Sequence, residues 1–422
     1  MGALALLAGG CGSALTGTAA GTGGTTATGG SSSGGSTATG GSGSGTGGTT
    51  ASGGVTGSGG KGGSSTGGTV GTGGTSVSGT AGTHGGGGAT SSGSAGAAGG
   101  GPNGGATGTG GSGGGSSTAA RPSKGCGVAN GAKTMTMGGS SVSKGLPTST
   151  TLHITSGGMN REYIIDIPAD YDPNKPYRLV FSWHQAYGSD VGNANGQYPA
   201  NNGPNFDAAH YAFFGLKRAA ADAGDTAIFV APEGIGNLPW DYKRDVTLFD
   251  DLLALVDSNL CIDDSRVFST GFSFGAMMSY ALSITRQSKL RAVVAMAAAN
   301  YNLPNEPTDT NAGPVAYMGT TGMSDGTCPW GSDTMGGKAC NLQHAKDNNC
   351  TIPSGNAIPT TTAGSKKYVC YDFAGCKAGY PVKACTFDGN HTPSAVDDGT
   401  SSGDDGQKAW VPPMAWKFFS QF

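Results

Sequence analysis

Gly271-Phe272-Ser273-Phe274-Gly275 is a G-x-S-x-G pentapeptide. The same pattern surrounds Ser32, Ser65, Ser112, Ser324 and Ser401, so spacing alone selects nothing. Context selects Ser273: the apolar Val267-Phe268 precedes it, and the helix-forming run Ala276–Leu282 follows. A strand-to-helix turn would expose the serine oxygen, and glycines two residues away on each side would remove side chains that clash there. The helix N-terminus would favour the negative charge of acyl attack. The chemistry implied is acyl transfer through a serine nucleophile; a structural serine on a turn is the alternative.

A serine hydroxyl needs a base within hydrogen-bond reach. Of the six histidines, His84 lies in a Gly/Ser/Thr tract, and His153 and His210 fall at or within early elements. His184 and His344 stay open, but a base on a late loop suits the chain order Ser, acid, His. His391, in Asp388-Gly389-Asn390-His391-Thr392-Pro393, meets that requirement. Formal candidates for the acid are Asp309, Asp325, Asp333, Asp347, Asp372 and Asp388. Asp325 is preferred because it follows an apolar strand in a Gly-rich loop, with Asp333 its best rival. The acid would orient the imidazole and stabilise the imidazolium. Oxyanion donors are expected at the backbone N–H of Phe274 and of Gln185, the latter in the loop after the strand ending at Trp183. Trp183, Tyr187, Trp240 and Trp330 are the candidate substrate-binding residues, joined by Phe272 and Phe274 beside the nucleophile. The Gly/Pro loop Gly236–Trp240 is expected to hold Trp240 near solvent.

The elements that must position these groups alternate between apolar runs and amphipathic stretches from residue 161 onward, the pattern of a mostly parallel α/β sheet with helices on both faces. Strands are expected at Glu162–Ile167, Arg178–Trp183, Ala227–Ala231, Arg266–Thr270, Ala292–Ala298, Val315–Met318 and Lys367–Tyr371. Helical spacing of Leu248, Leu252, Leu255 and Val256 predicts a crossover helix over Val246–Asn259, and a second is expected over Phe206–Ala223. The apolar Ala409–Phe422 is expected to dock as a final helix starting near Pro412-Pro413.

Most of the 82 glycines crowd into the first third. Residues 12–123 read as a Gly/Ser/Thr-rich linker unable to bury a core, and 124–422 as one folded domain. Residues 1–11 resemble the end of a bacterial lipoprotein signal with Cys11 as the lipidated residue; a truncated secretion signal is the alternative. Such a lipid anchor would be the sole membrane attachment. Eight further cysteines in an exported chain favour disulfides over metal ligation, with Cys126 and Cys261 a candidate pair. No CxxC or HExxH spacing occurs, so neither metal nor cofactor is expected. A net charge of −3 without a Lys/Arg cluster argues against nucleic acid.

The chain resembles the feruloyl esterase and polyhydroxybutyrate-depolymerase-like esterases of the α/β-hydrolase fold over Gly125–Phe422. The resemblance rests on Gly125-Cys126-Gly127, Arg161-Glu162-Tyr163, Tyr171-Asp172-Pro173, Phe181-Ser182-Trp183-His184 and Ala231-Pro232-Glu233-Gly234 with Trp240. It continues through Gly271–Gly275 to Cys376, Gly379-Tyr380-Pro381-Val382, Cys385, Asp388 and His391-Thr392-Pro393. It implies Ser, Asp and His roles at Ser273, Asp325 and His391. It also implies an extracytoplasmic serine esterase that releases hydroxycinnamate from feruloylated plant polysaccharide. Acetylxylan esterase, short-chain polyhydroxyalkanoate depolymerase and a non-catalytic surface binding protein are the alternatives. The family's Gly-rich or Arg-containing loop after the strand-end histidine is replaced here by Gln185-Ala186-Tyr187.

Overall fold

A computed structural model describes residues 119–128, 135–137, 139–197, 211–301, 313–396 and 409–422. The signal-like segment with Cys11, the linker to residue 118, His84, His210, Asp309 and the first part of the Phe206–Ala223 helix lie outside the described residues.

The strands are β1 (Met135–Met137), β2 (Ser140–Val142), β3 (Leu152–Ser156), β4 (Met159–Asp166), β5 (Tyr177–Trp183), β6 (Ala227–Pro232), β7 (Ile262–Phe272), β8 (Ala292–Met296), β9 (Ala316–Gly322), β10 (Tyr368–Asp372) and β11 (Val382–Phe387). The helices are α1 (Asp190–Ala194), α2 (Leu216–Asp222), α3 (Tyr242–Asn259), α4 (Phe274–Thr285), α5 (Gly337–Asp347) and α6 (Val411–Ser420). Nine strands form one sheet in the order β10-β11-β9-β8-β7-β5-β6-β4-β3. The contacts from β11 through β9, β8, β7 and β5 to β6 are parallel. The edges, β10 on β11 and β3-β4 on β6, are antiparallel. This is the mostly parallel α/β-hydrolase sheet expected from the sequence.

The central strands are buried along their whole length: β6, β8 and β9 expose no residue. Both faces must therefore be covered, as parallel sheets require. α4 is buried all round, which explains why it carries no polar stripe. α3 is the amphipathic crossover expected, with Leu248, Leu252 and Val256 fully buried. It begins four residues early because Asp241 caps it, accepting from the N–H groups of Lys243 and Arg244. α2 is shorter than expected and starts after Gly215, whose φ of 81° is left-handed backbone that favours glycine. α6 carries its prolines in the first turn and seats Phe419 on Phe268 of β7 at 4.7 Å between ring centroids.

The fold takes hold upstream of the expected boundary at residue 124. Arg121 N–H donates to Asp263 Oδ1, and Ser123 Oγ donates to the Leu260 carbonyl and accepts from Ile262 N–H. Cys126–Cys261 staples this segment to the start of β7, as the sequence suggested. Cys350–Cys376 and Cys370–Cys385 brace the β10–β11 edge. The expectation that all eight cysteines pair is corrected: Cys328 and Cys340 are buried outside any disulfide.

Cys126–Cys261 closes 135 residues of chain, far from the loops that follow the parallel strands. The double variant Cys126→Ser/Cys261→Ser is expected to lose about 3–5 kcal/mol of unfolding free energy in urea titration, with kcat of the surviving native fraction unchanged.

Candidate active site

The site is built at the C-terminal ends of β5, β7, β9 and β11. Ser273 follows β7 directly with φ 56° and ψ −121°, a strained conformation for a residue with a Cβ. The strain is held by its surroundings: Ser273 N–H donates to the Met296 carbonyl at the end of β8, and Met277 N–H donates back to the Ser273 carbonyl. A Cβ on Gly275 would lie 1.9 Å from the Trp183 carbonyl oxygen, and one on Gly271 would lie 2.4 Å from Gly275 backbone atoms. Both flanking glycines are therefore sterically required.

Asp325 follows β9 and is buried. Its Oδ1 accepts N–H bonds from Thr327 and Cys328 at 2.8 and 2.7 Å, and its Oδ2 lies 2.7 Å from His391 Nδ1. His391 follows β11, with Nε2 2.8 Å from Ser273 Oγ. An acceptor-only carboxylate on Nδ1 selects the Nδ1–H tautomer and leaves Nε2 free to accept the serine proton. The segments that carry Asp325 and His391 are bound to each other: Met323 N–H donates to the Phe387 carbonyl and Ser324 N–H to that of Gly389. A Cβ on Gly322 would lie 2.4 Å from the carbonyl oxygens of Gly389 and Asn390. Phe272 packs on the His391 ring at 4.6 Å.

The rival residues lie elsewhere. Asp333 binds Lys338 and Asn356 at the surface, Asp347 binds Gln343, and Asp372 binds Lys383. Asp388 accepts from the N–H groups of Gly364 and Lys366. His344 is buried on α5, 2.8 Å from Ser283 Oγ and stacked on Tyr317; burial pulls it down to about 3. His184 is buried behind the loop after β5. Its Nδ1 donates to the Gln185 carbonyl and its Nε2 accepts Gly234 N–H, and burial pulls it down to about 4.

The N–H groups of Gln185 and Phe274 make no hydrogen bond within the described residues, although both residues are buried. The close approach of Gly275 to Trp183 and His184 puts these two orphan donors beside the same turn. The aromatic candidates separate by burial. Trp183 and Trp240 are 0% and 3% exposed and meet edge to face at 5.0 Å. Trp240 Nε1 donates to the His184 carbonyl, so its expected position near solvent is corrected: the indole is drawn inward by a carbonyl that needs a donor. Tyr187 is 57% exposed, and Trp330 is half-buried against a small second core. Ile235 and Leu238 were not anticipated; they stand exposed on the loop that Tyr187 N–H binds through the Asn237 carbonyl. Only their apolar character within a turn could have marked them.

No family model matches the chain. It is 31% identical over 279 residues to feruloyl esterase D of Neurospora crassa, a match covering 66% of this chain and 87% of that protein. This chain belongs to the feruloyl esterase family. Feruloyl esterase C of Emericella nidulans is 32% identical over 261 residues, covering 61% and 83% of the two chains. Among solved structures, an acetyl xylan esterase from Aspergillus awamori aligns with a TM-score of 0.44 and 13% identity, covering 65% of this chain and all of that one. The feruloyl esterase-like chain is a carboxylic ester hydrolase. No helix among the described residues is long and apolar enough to cross a membrane.

The buried neutral histidines give this esterase an acid-side liability. The folded state keeps His344 unprotonated down to about pH 3, whereas an unfolded histidine binds a proton below about 6.5, so stability is lost as pH falls through that window. The stability advantage of wild type over His344→Gln is expected to shrink by as much as about 1.4 kcal/mol per pH unit between pH 6.5 and 4. Urea midpoints of the two proteins across that range check it.

Proposed function

We propose that Ser273, His391 and Asp325 are nucleophile, base and acid of an acyl-enzyme mechanism acting on hydroxycinnamoyl esters, with the N–H groups of Gln185 and Phe274 as oxyanion donors. The observation that carries this reading is the unbroken hydrogen-bonded chain from Asp325 through His391 to Ser273 at the ends of three parallel strands. His391 Nε2 takes the serine proton as Oγ attacks the ester carbonyl, and Asp325 steadies the imidazolium. The carbonyl oxygen becomes an oxyanion facing two N–H groups that need no reorganisation to receive it. His391 then protonates the departing alkoxide. Water, deprotonated by the same nitrogen, hydrolyses the acyl-serine and restores the free enzyme.

The relatives' names support a feruloyl substrate. The exposed apolar side chains of Tyr187, Ile235 and Leu238 on paired loops suit a planar ring, which gains about 0.5–1.5 kcal/mol from aromatic contacts beyond area burial. An acetyl group presents no such surface. Residues 12–118 would serve as a linker, with Cys11 lipidated, and three disulfides are in keeping with an oxidising, extracytoplasmic compartment. Feruloylated plant polysaccharide is the partner this reading assigns.

Ser273→Ala and His391→Ala are expected to lower kcat by several orders of magnitude without additivity, because nucleophile and base act as a unit. Asp325→Asn should cost less, and Asp333→Asn should be silent in the same assay. On methyl ferulate against an acetyl ester, Tyr187→Asn, which suits the left-handed backbone at that position, combined with Leu238→Ala is expected to cost about tenfold in kcat/KM on the ferulate alone. Trp240→Ala, now a buried support, should cost both esters equally. A wild-type preference for acetyl esters would overturn the acyl assignment and leave the hydrolytic one.

A further inference from the structure

The loop after β5 rests on carboxyl groups. Asp190, opening α1, is buried, and Glu233, directly after β6, is mostly covered. Asp190 N–H donates to Glu233 Oε2 at 2.6 Å, which brings the carboxyl group of Glu233 onto the residue that carries the other carboxyl. Ionised carboxylates are acceptors only, so two of them on neighbouring residues in a covered place repel unless they share a proton. Asp190 Oδ2 is buried with no N–H or hydroxyl donor among the described residues, which the shared proton would answer.

Among the described residues, no ammonium or guanidinium forms an ion pair with Asp190 or Glu233. From β4, Glu162 adds a third negative charge, while Arg161 spends Nη1 on Asp245 of α3 and Nη2 on the Glu233 main-chain carbonyl. Arg244 is likewise bound to Asp245. His184 Nε2 lies 3.8 Å from Glu233 Oε2, but it accepts Gly234 N–H and is held neutral. Burial, with the two neighbouring carboxylates, pushes Glu233 up to about 8 and raises Asp190 as well.

The pair is one of the pins that hold the 184–190 segment to the 233–240 loop. His184 is pinned through Gly234 N–H and Trp240 Nε1, Tyr187 through the Asn237 carbonyl, and Asp190 through Glu233. Gln185 lies inside the pinned segment, its carbonyl accepting from Gly188 N–H and His184 Nδ1. We propose that Asp190 and Glu233 are positioning residues which, sharing one proton, hold the 184–190 segment and its Gln185 N–H in place, and that loss of this proton loosens the segment. The proposal rests on the reading of Gln185 as an oxyanion donor for its effect on catalysis, though not for its effect on the segment.

Once both carboxyls are ionised, two like charges face each other in a poorly solvated place, and the Asp190 pin is the one they strain. The test uses the full chain from pH 5 to 10 and two readouts. One is kcat and KM on a soluble aryl ester. The other is backbone amide exchange of residues 184–190, corrected for the intrinsic pH dependence of exchange. Wild type is expected to lose about tenfold in kcat, more than in KM, between pH 7 and 9.5, with exchange of the segment accelerating in step. Profiles of Glu233→Gln and Asp190→Asn, each normalised to its own value at pH 6, should be flat over the alkaline range. Glu162→Gln keeps both partners but removes the neighbouring charge that raises them, so its alkaline limb should move to lower pH. A support that acts by shape alone would lower kcat equally at every pH. That result, or segment exchange that follows the same course with pH in wild type and both pair variants, overturns the proposal. Accelerated exchange confined to wild type, without an alkaline loss of kcat, upholds the pair and overturns the assignment of Gln185.

Discussion

The turn that carries Ser273 lies against the end of β5 at a separation that excludes a side chain. The backbone of Gly275 reaches the Trp183 carbonyl so closely that a single methyl would overlap it. Much of the site follows from this contact. It brings the first N–H groups of α4 to the loop after β5, so two orphan donors from strands adjacent in the sheet meet beside one serine. It also limits how far Ser273 can relax from its strained backbone, because β8 holds the other side through Met296. Donors held in this way need not move when charge develops beside them, which suits the oxyanion role proposed for Gln185 and Phe274.

A second close approach positions Asp325 and His391. Gly322 ends β9 where the backbone of Gly389 and Asn390 passes, and the N–H groups of Met323 and Ser324 donate to the Phe387 and Gly389 carbonyls. Asp325 and His391 are thereby set by backbone geometry rather than by side-chain reach. Cys370–Cys385 ties β10 to β11, and Cys350–Cys376 ties the turn after β10 to the segment after α5. The strand that leads into His391, β11, is thus braced through the edge strand β10, where a sheet otherwise has least support.

Behind Ser273 and the loop after β5 the polar residues are arranged with few full charges. His184 is neutral and spends both nitrogens on backbone partners, Trp240 satisfies the carbonyl of the same residue, and Arg161 is paired with Asp245 in the interior. Buried polar groups of this kind are costly unless each is partnered, so they specify one arrangement of the loops. Residues the sequence offered as pocket walls, Trp183 and Trp240, belong to this support. The exposed apolar surface falls to Tyr187, Ile235 and Leu238 instead.

Placement of the central strands was legible because burial on both faces writes itself as continuous apolar runs, and the crossover helix α3 as a 3.6-residue period, whereas β3, β11, α1 and α5 were not among the expected elements. Ser273 was legible for a related reason: only one of its many pattern matches lies between a strand and a helix. Asp325 and His391 could be ranked by chain order, and the Gly-rich loop after an apolar strand favoured Asp325 while leaving Asp333 as a rival. Hydrogen bonds across 66 residues decided that contrast, putting one carboxylate on the imidazole and the other on a surface lysine. The depth of Trp240 was likewise beyond sequence, because a Gly/Pro loop says where the chain turns and not which carbonyl will need its indole N–H. Cys126–Cys261 could be proposed from position, while the separate fate of Cys328 and Cys340 depended on side-chain placement. Periodicity and turn chemistry are local properties and survive in one dimension. The partner of a buried polar group is set by which strands become neighbours, and only the folded sheet decides that.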